Sequence, residues 1–294
     1  MTGDLLQIDR SERAARYYRN AVDRHWDPDD VDLSADRDAM AALDEVAFRE
    51  FRTSLAKFGA GEQAVTEDLA PLAVVLEPLE DQLFVTTQLY EEARHTDFFD
   101  RYWRDVVHPA EEDRGLERTS PTDPEWFDAD YRELFDRNEA AMARLLTEDT
   151  PETRAEAYCH YHLTIEGVLA QTGYYGLTRA FGGRVEGMPE LPGLVDGLTR
   201  IRQDEGRHVG FGMAKLRELV QDEGVDPALL HDTVGDLVEL VQGTLDSDLP
   251  PEEQAVPPEE LTAYAVRKHT ERMEQITDAA SDIPTIDELT SLDG

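Results

Sequence analysis

Glu92-Ala93-Arg94-His95 and Glu205-Gly206-Arg207-His208 repeat one pattern, in which a carboxylate and an imidazole stand three residues apart. Residues three apart on a helix share a face, so each Glu and His can reach the same metal ion. A further acid, Glu62 or Glu166, lies upstream of each copy. Two helices that each supply a Glu, with two that each supply Glu-x-x-His, form a dimetal site in a four-helix bundle. The predicted ligands are therefore Glu62, Glu92, His95, Glu166, Glu205 and His208.

The donor atoms of this set are carboxylate oxygens and imidazole nitrogens, which suit iron and manganese. Glu92 and Glu205 are the natural bridging carboxylates, because each lies beside a histidine ligand. The single cysteine, Cys159, excludes a disulfide framework and a thiolate metal set. One copy of Glu-x-x-His is usually helix surface charge, and the second copy argues against that interpretation.

An acid directly precedes each repeated motif, Glu91 in the first and Asp204 in the second. A histidine that binds a metal commonly donates its other N–H to a carboxylate. In a pseudo-symmetric bundle, Asp204 would hold His95 and Glu91 would hold His208. The alternative is that both acids are solvated.

Other residues near the predicted ligands allow two interpretations. Ala170, Gly173 and Gly212 fall on the metal-facing stripe, where small side chains either leave room for a ligand or permit close helix packing. His160 and His162 are either additional ligands or residues outside the metal site.

The composition is strongly acidic, with 65 Asp and Glu against 28 Lys and Arg and a net charge of −37. Such self-repulsion weakens a compact state, but at molar salt the Debye length falls to roughly 3 Å. We therefore expect a cytoplasmic protein of a halophile, with a basic partner as the less favoured explanation. No basic patch predicts nucleic-acid binding. No apolar run of membrane-spanning length and no signal peptide is visible.

Helical periodicity runs through almost the whole chain, and no strand pattern stands out. Glycines 59 and 61 predict a break before Glu62, and Pro109 predicts a connection. Asp123-Pro124-Glu125 and Thr150-Pro151-Glu152 are typical helix starts. The predicted helices are 11–25, 36–58, 73–107, 124 to about 146, 151 to about 181, 189–221, 226–246 and 258–280.

The repeated motif ties both halves of the chain to one site, which predicts a single domain over residues 1–294. The metal-site core spans about 60–215 and is followed by C-terminal helices at 226–280. A Pro- and Glu-rich linker separates the last two helices, and residues 281–294 are expected to form a loose tail.

Four segments resemble the ligand-binding oxidases related to the ribonucleotide reductase small subunit, in the ferritin-like superfamily. They are Gly61–Thr66, Glu91–Thr96, Tyr161–Gly167 and Asp204–His208. The resemblance implies an all-α fold with a ferritin-like four-helix bundle core and additional helices. It also implies a homodimer, a long-chain fatty acid bound at the metals, reaction with O2 and an electron donor that the sequence does not identify.

The resemblance further implies one manganese and one iron per chain, or alternatively two irons. Manganese would bind Glu62, Glu92 and His95. Iron would bind Glu166, Glu205 and His208. An ether crosslink would join the oxygen of Tyr161 to the β-carbon of Val65, and these two residues form the predicted catalytic pair.

Two departures separate the chain from the reductase subunit itself. Phe99 occupies the position of that subunit's radical tyrosine, and the tail 281–294 has no aromatic residue for radical transfer. The reductase small subunit nevertheless stays the first alternative. A non-enzymatic metal-storage or lipid-binding protein is the second, and related dimetal oxygenases share the ligands without requiring the Tyr161 and Val65 pair.

Overall fold

The computed structural model describes residues 7–245, 250 and 254–289. Within these residues the chain is helical and contains no strand. The α-helices are α1 (Arg13–Asp23), α2 (Ser34–Ala39), α3 (Glu45–Asp68), α4 (Ala70–Val75), α5 (Leu79–Tyr102), α6 (His108–Asp113), α7 (Ala129–Arg144), α8 (Pro151–Tyr158), α9 (Gln171–Phe181), α10 (Pro192–Gln221), α11 (Pro227–Leu245), α12 (Pro258–Thr277) and α13 (Ile286–Leu289). Two π-helical segments, Trp103–Val107 and Cys159–Ala170, continue α5 and join α8 to α9.

Four elements form the central bundle, namely α3, α5, the π-helical segment Cys159–Ala170 and α10. Helix α3 packs along α5, while α10 packs against both the π-helical segment and α5. Around them, α1 covers α5 and α10, α11 lies against the π-helical segment, and α12 lies against α9 and α10. The all-helical bundle predicted from the sequence is confirmed.

The apolar core is divided into two clusters along the bundle. One contains Phe84, Tyr161 and Phe211, and the other contains Phe98 and Leu198. On α5, Glu92 and His95 fall between Phe84 and Phe98, and on α10 the second motif falls between Leu198 and Phe211. The apolar turns on both sides of each motif therefore place the polar residues in the middle of the core.

The helix start predicted at Thr150 is confirmed. The Thr150 hydroxyl accepts from the Thr153 N–H, and the Thr153 side chain accepts from the Thr150 N–H in return. These two contacts satisfy backbone donors that the first turn of a helix leaves free. Helix α9 ends at Phe181 before Gly182, as predicted.

Three local predictions were wrong. Helix α3 runs unbroken through Gly59 and Gly61, because a glycine costs a helix only about 1 kcal/mol and close packing on Phe99 offsets it. Pro109 lies in the first turn of α6, where proline is tolerated. Pro124 opens only a short 3₁₀ turn, and α7 begins after Asp128, whose carboxylate accepts from the Tyr131 N–H.

The expected loose tail was wrong for residues 283–289. Ile283 is buried, and α13 packs on α10. The remaining tail residues 290–294 lie outside the described residues, as do 246–249 and 251–253 of the predicted linker.

Candidate metal centre

The first group of predicted metal ligands gathers around His95. Its Nδ1 atom lies 3.4 Å from an oxygen of Glu62, 3.3 Å from Glu92 Oε2 and 3.4 Å from Glu205 Oε1. Each of these four residues offers one ligand atom within 4.8 Å of the others, and all four are buried. Three helices, α3, α5 and α10, supply this group.

The second group gathers around His208. Its Nδ1 atom lies 3.0 Å from Glu92 Oε1, and 3.5 Å from both Glu166 Oε1 and Glu205 Oε2. Glu92 and Glu205 therefore turn one oxygen toward each histidine, which is the placement of a bridging carboxylate. The structure thus brings all six predicted ligands into one site with two halves.

Several atoms in this site are buried without a hydrogen-bond partner, namely Nδ1 of His95, Nδ1 of His208, Oε2 of Glu166 and Oε2 of Glu205. Buried polar atoms are nearly always paired, and an unpaired one calls for an explanation such as an ion. Four carboxylates with two imidazoles also place an excess of negative charge in a dry environment. Two divalent cations would fit both the unpaired atoms and the charge.

The pKa values of the glutamates reflect the crowding of carboxylates in this buried site. Burial raises the pKa of Glu62 to about 7 and raises that of Glu166 well above its ordinary range, with Glu205 adding to the effect on Glu166. Burial opposes ionisation of Glu92 as well, but His208 and His95 outweigh it and hold the pKa of Glu92 well below its ordinary value. Glu92 is therefore the carboxylate that stays charged between the two histidines.

A carboxylate from the opposite motif holds the outer nitrogen of each histidine. Nε2 of His95 lies 3.1 Å from Asp204 Oδ2, and Nε2 of His208 lies 2.9 Å from Glu91 Oε2. These are the cross-bundle pairs named from the sequence. They fix each ring so that Nδ1 faces the site.

The two motif arginines complete a buried ion cluster, which consists of Glu91, Arg94, Asp204 and Arg207. Arg94 donates to Asp204 at 2.7 Å and lies 3.4 Å from Glu91. Arg207 donates to Glu91 at 2.5 Å and also to Asp204. The cluster has no net charge, so it can hold both histidines without adding to the excess of negative charge at the centre. The sequence left the partners of these arginines open.

Trp26 also belongs to this network. Its Nε1 donates to Asp204 Oδ2 at 2.8 Å, and its ring stacks on that of His95. Trp103 and Trp126 instead donate to the backbone oxygens of Thr119 and Ser120.

The π-helical segment aligns Tyr161 with Glu166. Five residues on an α-helix turn through about 140° beyond a full circle, whereas a π-helix bonds residues five apart and brings them to one face. The Tyr161 hydroxyl donates to Glu92 Oε1 at 3.0 Å and interacts with Glu166. The sequence gave the five-residue spacing but not the π-helix that makes it useful.

Sequence reasoning missed two residues that contact the predicted ligands. The Tyr174 hydroxyl donates to Glu62 Oε1 at 2.6 Å, and Gln88 Nε2 donates to Glu166 Oε1 at 2.9 Å. Gln88 lies four residues before Glu92, so its position on the metal-facing side of α5 was available as a signal. Tyr174 lies eight residues after Glu166, and its hydrogen bond is to Glu62 on a different helix, which spacing along the chain does not reveal.

The remaining candidates are two histidines, predicted as ligands or as residues outside the metal site, and three small residues, predicted to line a cavity or to permit close packing. His162 is buried beside Gln88 and belongs to neither ligand group, and burial lowers its pKa to about 3. Burial also lowers the pKa of His160, to about 4. Ala170 and Gly173 line a cavity, whereas Gly212 permits close packing, since an added Cβ would lie 2.3 Å from His162 Cβ.

A cavity of about 280 Å³ opens from the metal centre. Glu62, Glu92, Glu166, Glu205 and Val65 line it at the site. Its other walls are mainly apolar and include Phe51, Phe58, Leu169, Leu177, Phe181 and Leu261. The volume is near the lower end of the roughly 300–1,000 Å³ of small-molecule sites, and the lining combines carboxylates with mainly apolar side chains.

Taken together, the fold and the site define a ferritin-like helical bundle with a buried carboxylate and histidine cluster suited to two metals. A family model described as "Ribonucleotide reductase, small chain" matches residues 7–267. The chain therefore belongs to the ribonucleotide reductase small-chain family.

Solved structures similar to this chain include variants of an R2-like ligand-binding oxidase. A tyrosine-to-phenylalanine variant with an aerobically reconstituted Mn/Fe cofactor is 29% identical, with a TM-score of 0.79. A valine-to-leucine variant with the same aerobic cofactor is 29% identical, with a TM-score of 0.80. Each match covers 92% of this chain and 95% of the other. The fold and family expected from the resemblance are confirmed.

Among the described helices, none combines the length and the apolar character that crossing a bilayer requires.

Proposed function

We propose that this protein is an O2-activating dimetal oxidase that acts on a long-chain, fatty-acid-like ligand. The single observation that carries the proposal is the cavity, which is lined by the four carboxylates of the candidate metal centre and by mainly apolar side chains. A manganese and iron pair is favoured because the similar oxidase structures carry a Mn/Fe cofactor. Two irons are the alternative.

We propose that each metal binds one of the two histidines together with two of the four carboxylates. Manganese would lie on the His95 side with Glu62 and Glu92, and iron on the His208 side with Glu166 and Glu205. The bound metal pair would activate O2, which is the oxidant. Asp204 and Glu91 would keep the histidine rings oriented, and the apolar walls would exclude water from the reacting C–H bond.

The proposed first target of oxidation is Val65. Its side chain is buried and lines the cavity beside the four carboxylates. The Tyr161 hydroxyl points into the same site through its hydrogen bond to Glu92. An ether link between Tyr161 Oη and Val65 Cβ removes one hydrogen from each residue, and O2 is the acceptor of the two electrons and two protons.

Oxygen exposure after loading with Mn(II) and Fe(II) is expected to join the peptides that contain Val65 and Tyr161. Peptide mass spectrometry should show a product lighter by two hydrogens than the separate parts. Tyr161→Phe keeps the ring but lacks the oxygen, so it should bind both metals and give no joined peptide. Unlinked peptides in the parent protein, despite a bound metal pair and O2 uptake, would instead favour another dimetal oxygenase or the reductase subunit.

Filling the apolar part of the cavity is expected to weaken fatty-acid binding. Gly176 lines the cavity, and an added Cβ would meet only Leu261 Cδ2 at 3.3 Å. Gly176→Leu should therefore lower the affinity for palmitate by about tenfold or more, measured by displacement of a fluorescent fatty acid. Gly235→Leu, on α11 with open space around it, is the matched control. Equal affinity in both variants would place the ligand elsewhere.

The acidic charge of the chain determines the salt concentration for assays. We propose a cytoplasmic protein of a halophile, because the net charge of −37 requires screening. Assays should therefore include molar salt. A homodimer and a single domain over residues 1–294 stay predictions.

Phe99 is buried and stacks with Phe58, which supports the oxidase over a subunit that stores a tyrosyl radical at this position.

A further inference from the structure

A second cavity, of about 560 Å³, lies between α10, α12 and residues 282–289. On α10 it is lined by Arg202, Gly206, Val209 and Met213, which are spaced four, three and four residues apart and so share one face. The metal-ligating residues of α10 project from a neighbouring face. No residue lines both cavities, so the second one is a separate site.

Three cations converge on this cavity, namely Arg202, Lys268 and Arg272. All three are half-buried. Across the described part of the chain, no carboxylate lies within the 4.0 Å of an ion pair from their nitrogen atoms, although most other buried or half-buried cations have such a partner. Nε of Arg202 is buried without any hydrogen-bond partner. Three of the 28 basic residues thus line one cavity without a direct ion pair, although three acids line the same cavity.

The acids of the cavity lie at its rim and are exposed. Glu271 lies 3.6 Å from Arg267, and Glu288 accepts hydrogen bonds from the backbone and hydroxyl of Thr285. The third acid, Asp282, is also exposed. These acids are therefore more exposed to water than the three half-buried cations.

The pKa values of the cations reflect their burial. Burial lowers the pKa of Arg272 to about 10. Burial and then the neighbouring Arg272 and Arg267 lower the pKa of Lys268, and Glu271 only partly opposes them. Lys268 is therefore repelled by its cationic neighbours, whereas Glu271 and Glu166 favour the charged form of Arg272 against its burial.

We propose that this cavity binds a small molecule through a doubly charged oxyanion, such as a phosphate group. Guanidinium groups present paired N–H donors that match two oxygens of such an anion, and the ammonium group of Lys268 adds a point charge. Arg272 is already held in place, because its Nη1 donates to the backbone oxygen of Gly167. The anion would satisfy the unpaired Arg202 Nε and offset the repulsion between Lys268 and its cationic neighbours.

Calorimetric titration of the full-length, metal-loaded protein with inorganic phosphate and with sulfate, at constant ionic strength, tests the proposal. Saturable binding of one anion per chain is expected. Lys268→Gln and Arg202→Gln should each weaken it by about tenfold or more, because each removes a charge-assisted hydrogen bond. Lys268→Arg should retain it. Arg137→Gln, on an exposed arginine of α7 that pairs with Glu133 and does not line this cavity, is the matched control and should bind like the parent.

Three outcomes would overturn the proposal. The first is the absence of saturable binding of either anion. The second is equal binding by Lys268→Gln, Arg202→Gln and the parent, with circular dichroism showing all three folded. The third is loss of binding when the metals are removed by chelation, which would place the anion on the metals instead. None of these results bears on the fatty-acid cavity or on the Tyr161 and Val65 crosslink.

Discussion

Replacing Glu92 with glutamine is expected to lower the metal content from about two ions per chain to less than one. Glu92 turns one oxygen toward His95 and the other toward His208, at 3.3 Å and 3.0 Å from their Nδ1 atoms. It is also the carboxylate whose pKa the histidines hold low. The variant keeps the shape of the side chain but removes the negative charge that both metals would share. Elemental analysis after dialysis, with competition titrations for Mn(II) and Fe(II), measures the effect.

Two control variants separate bridging from a general loss of charge. Glu62 belongs only to the His95 group, so Glu62→Gln should weaken the binding of one metal and leave the binding of the other unchanged. Asp97 is exposed on the same helix as Glu92, so Asp97→Asn should leave both metals in place. A Glu92→Gln protein that retains two tightly bound metals would contradict the bridging role.

Replacing Arg207 with methionine is expected to lower the free energy of unfolding by about 3–5 kcal/mol, since it breaks a fully buried ion cluster. Arg207 is 0% exposed and contacts both Glu91 and Asp204. Without it, Arg94 is the one arginine left to pair with both buried carboxylates. Methionine preserves much of the apolar stem, so the lost charge dominates. Urea unfolding of the metal-free protein, at one fixed salt concentration, gives the difference.

Arg200→Met is the matched control for this effect. Arg200 lies two turns earlier on α10 and pairs with Asp196 at the surface, so its loss should cost less than about 1 kcal/mol. Molar salt should change the result for Arg200 more than that for Arg207, because buried charges are screened little. Equal effects of the two variants would show that the buried cluster contributes no more than a surface pair.

The sequence predicted the helical class because its apolar residues recur at helical spacing, which is a local property. It also named the six residues that the structure gathers, because two copies of Glu-x-x-His fix two ligands each on a helix face. The cross-bundle pairs of Asp204 with His95 and of Glu91 with His208 followed from symmetry between the copies. The start of α8 followed from the capping residues at Thr150.

Local signals failed where packing outweighs them. Gly59 and Gly61 predicted a break, yet α3 continues through them because its neighbours approach closely. Residues 283–289 lack a strong helical pattern, yet Ile283 is buried and α13 packs on α10. In both cases contacts distant in sequence supply the stabilisation that the local propensity lacks.

The sequence by itself determined the helices and the chemical identity of the candidate metal ligands, since both depend on spacing within single segments. Only the tertiary structure decided which oxygen faces which histidine, how the π-helix brings Tyr161 into line with Glu166, and that Tyr174 reaches Glu62. It also decided where the two cavities lie and which cations line the second. These features depend on distances between side chains of different helices, which the order of residues along one helix does not specify.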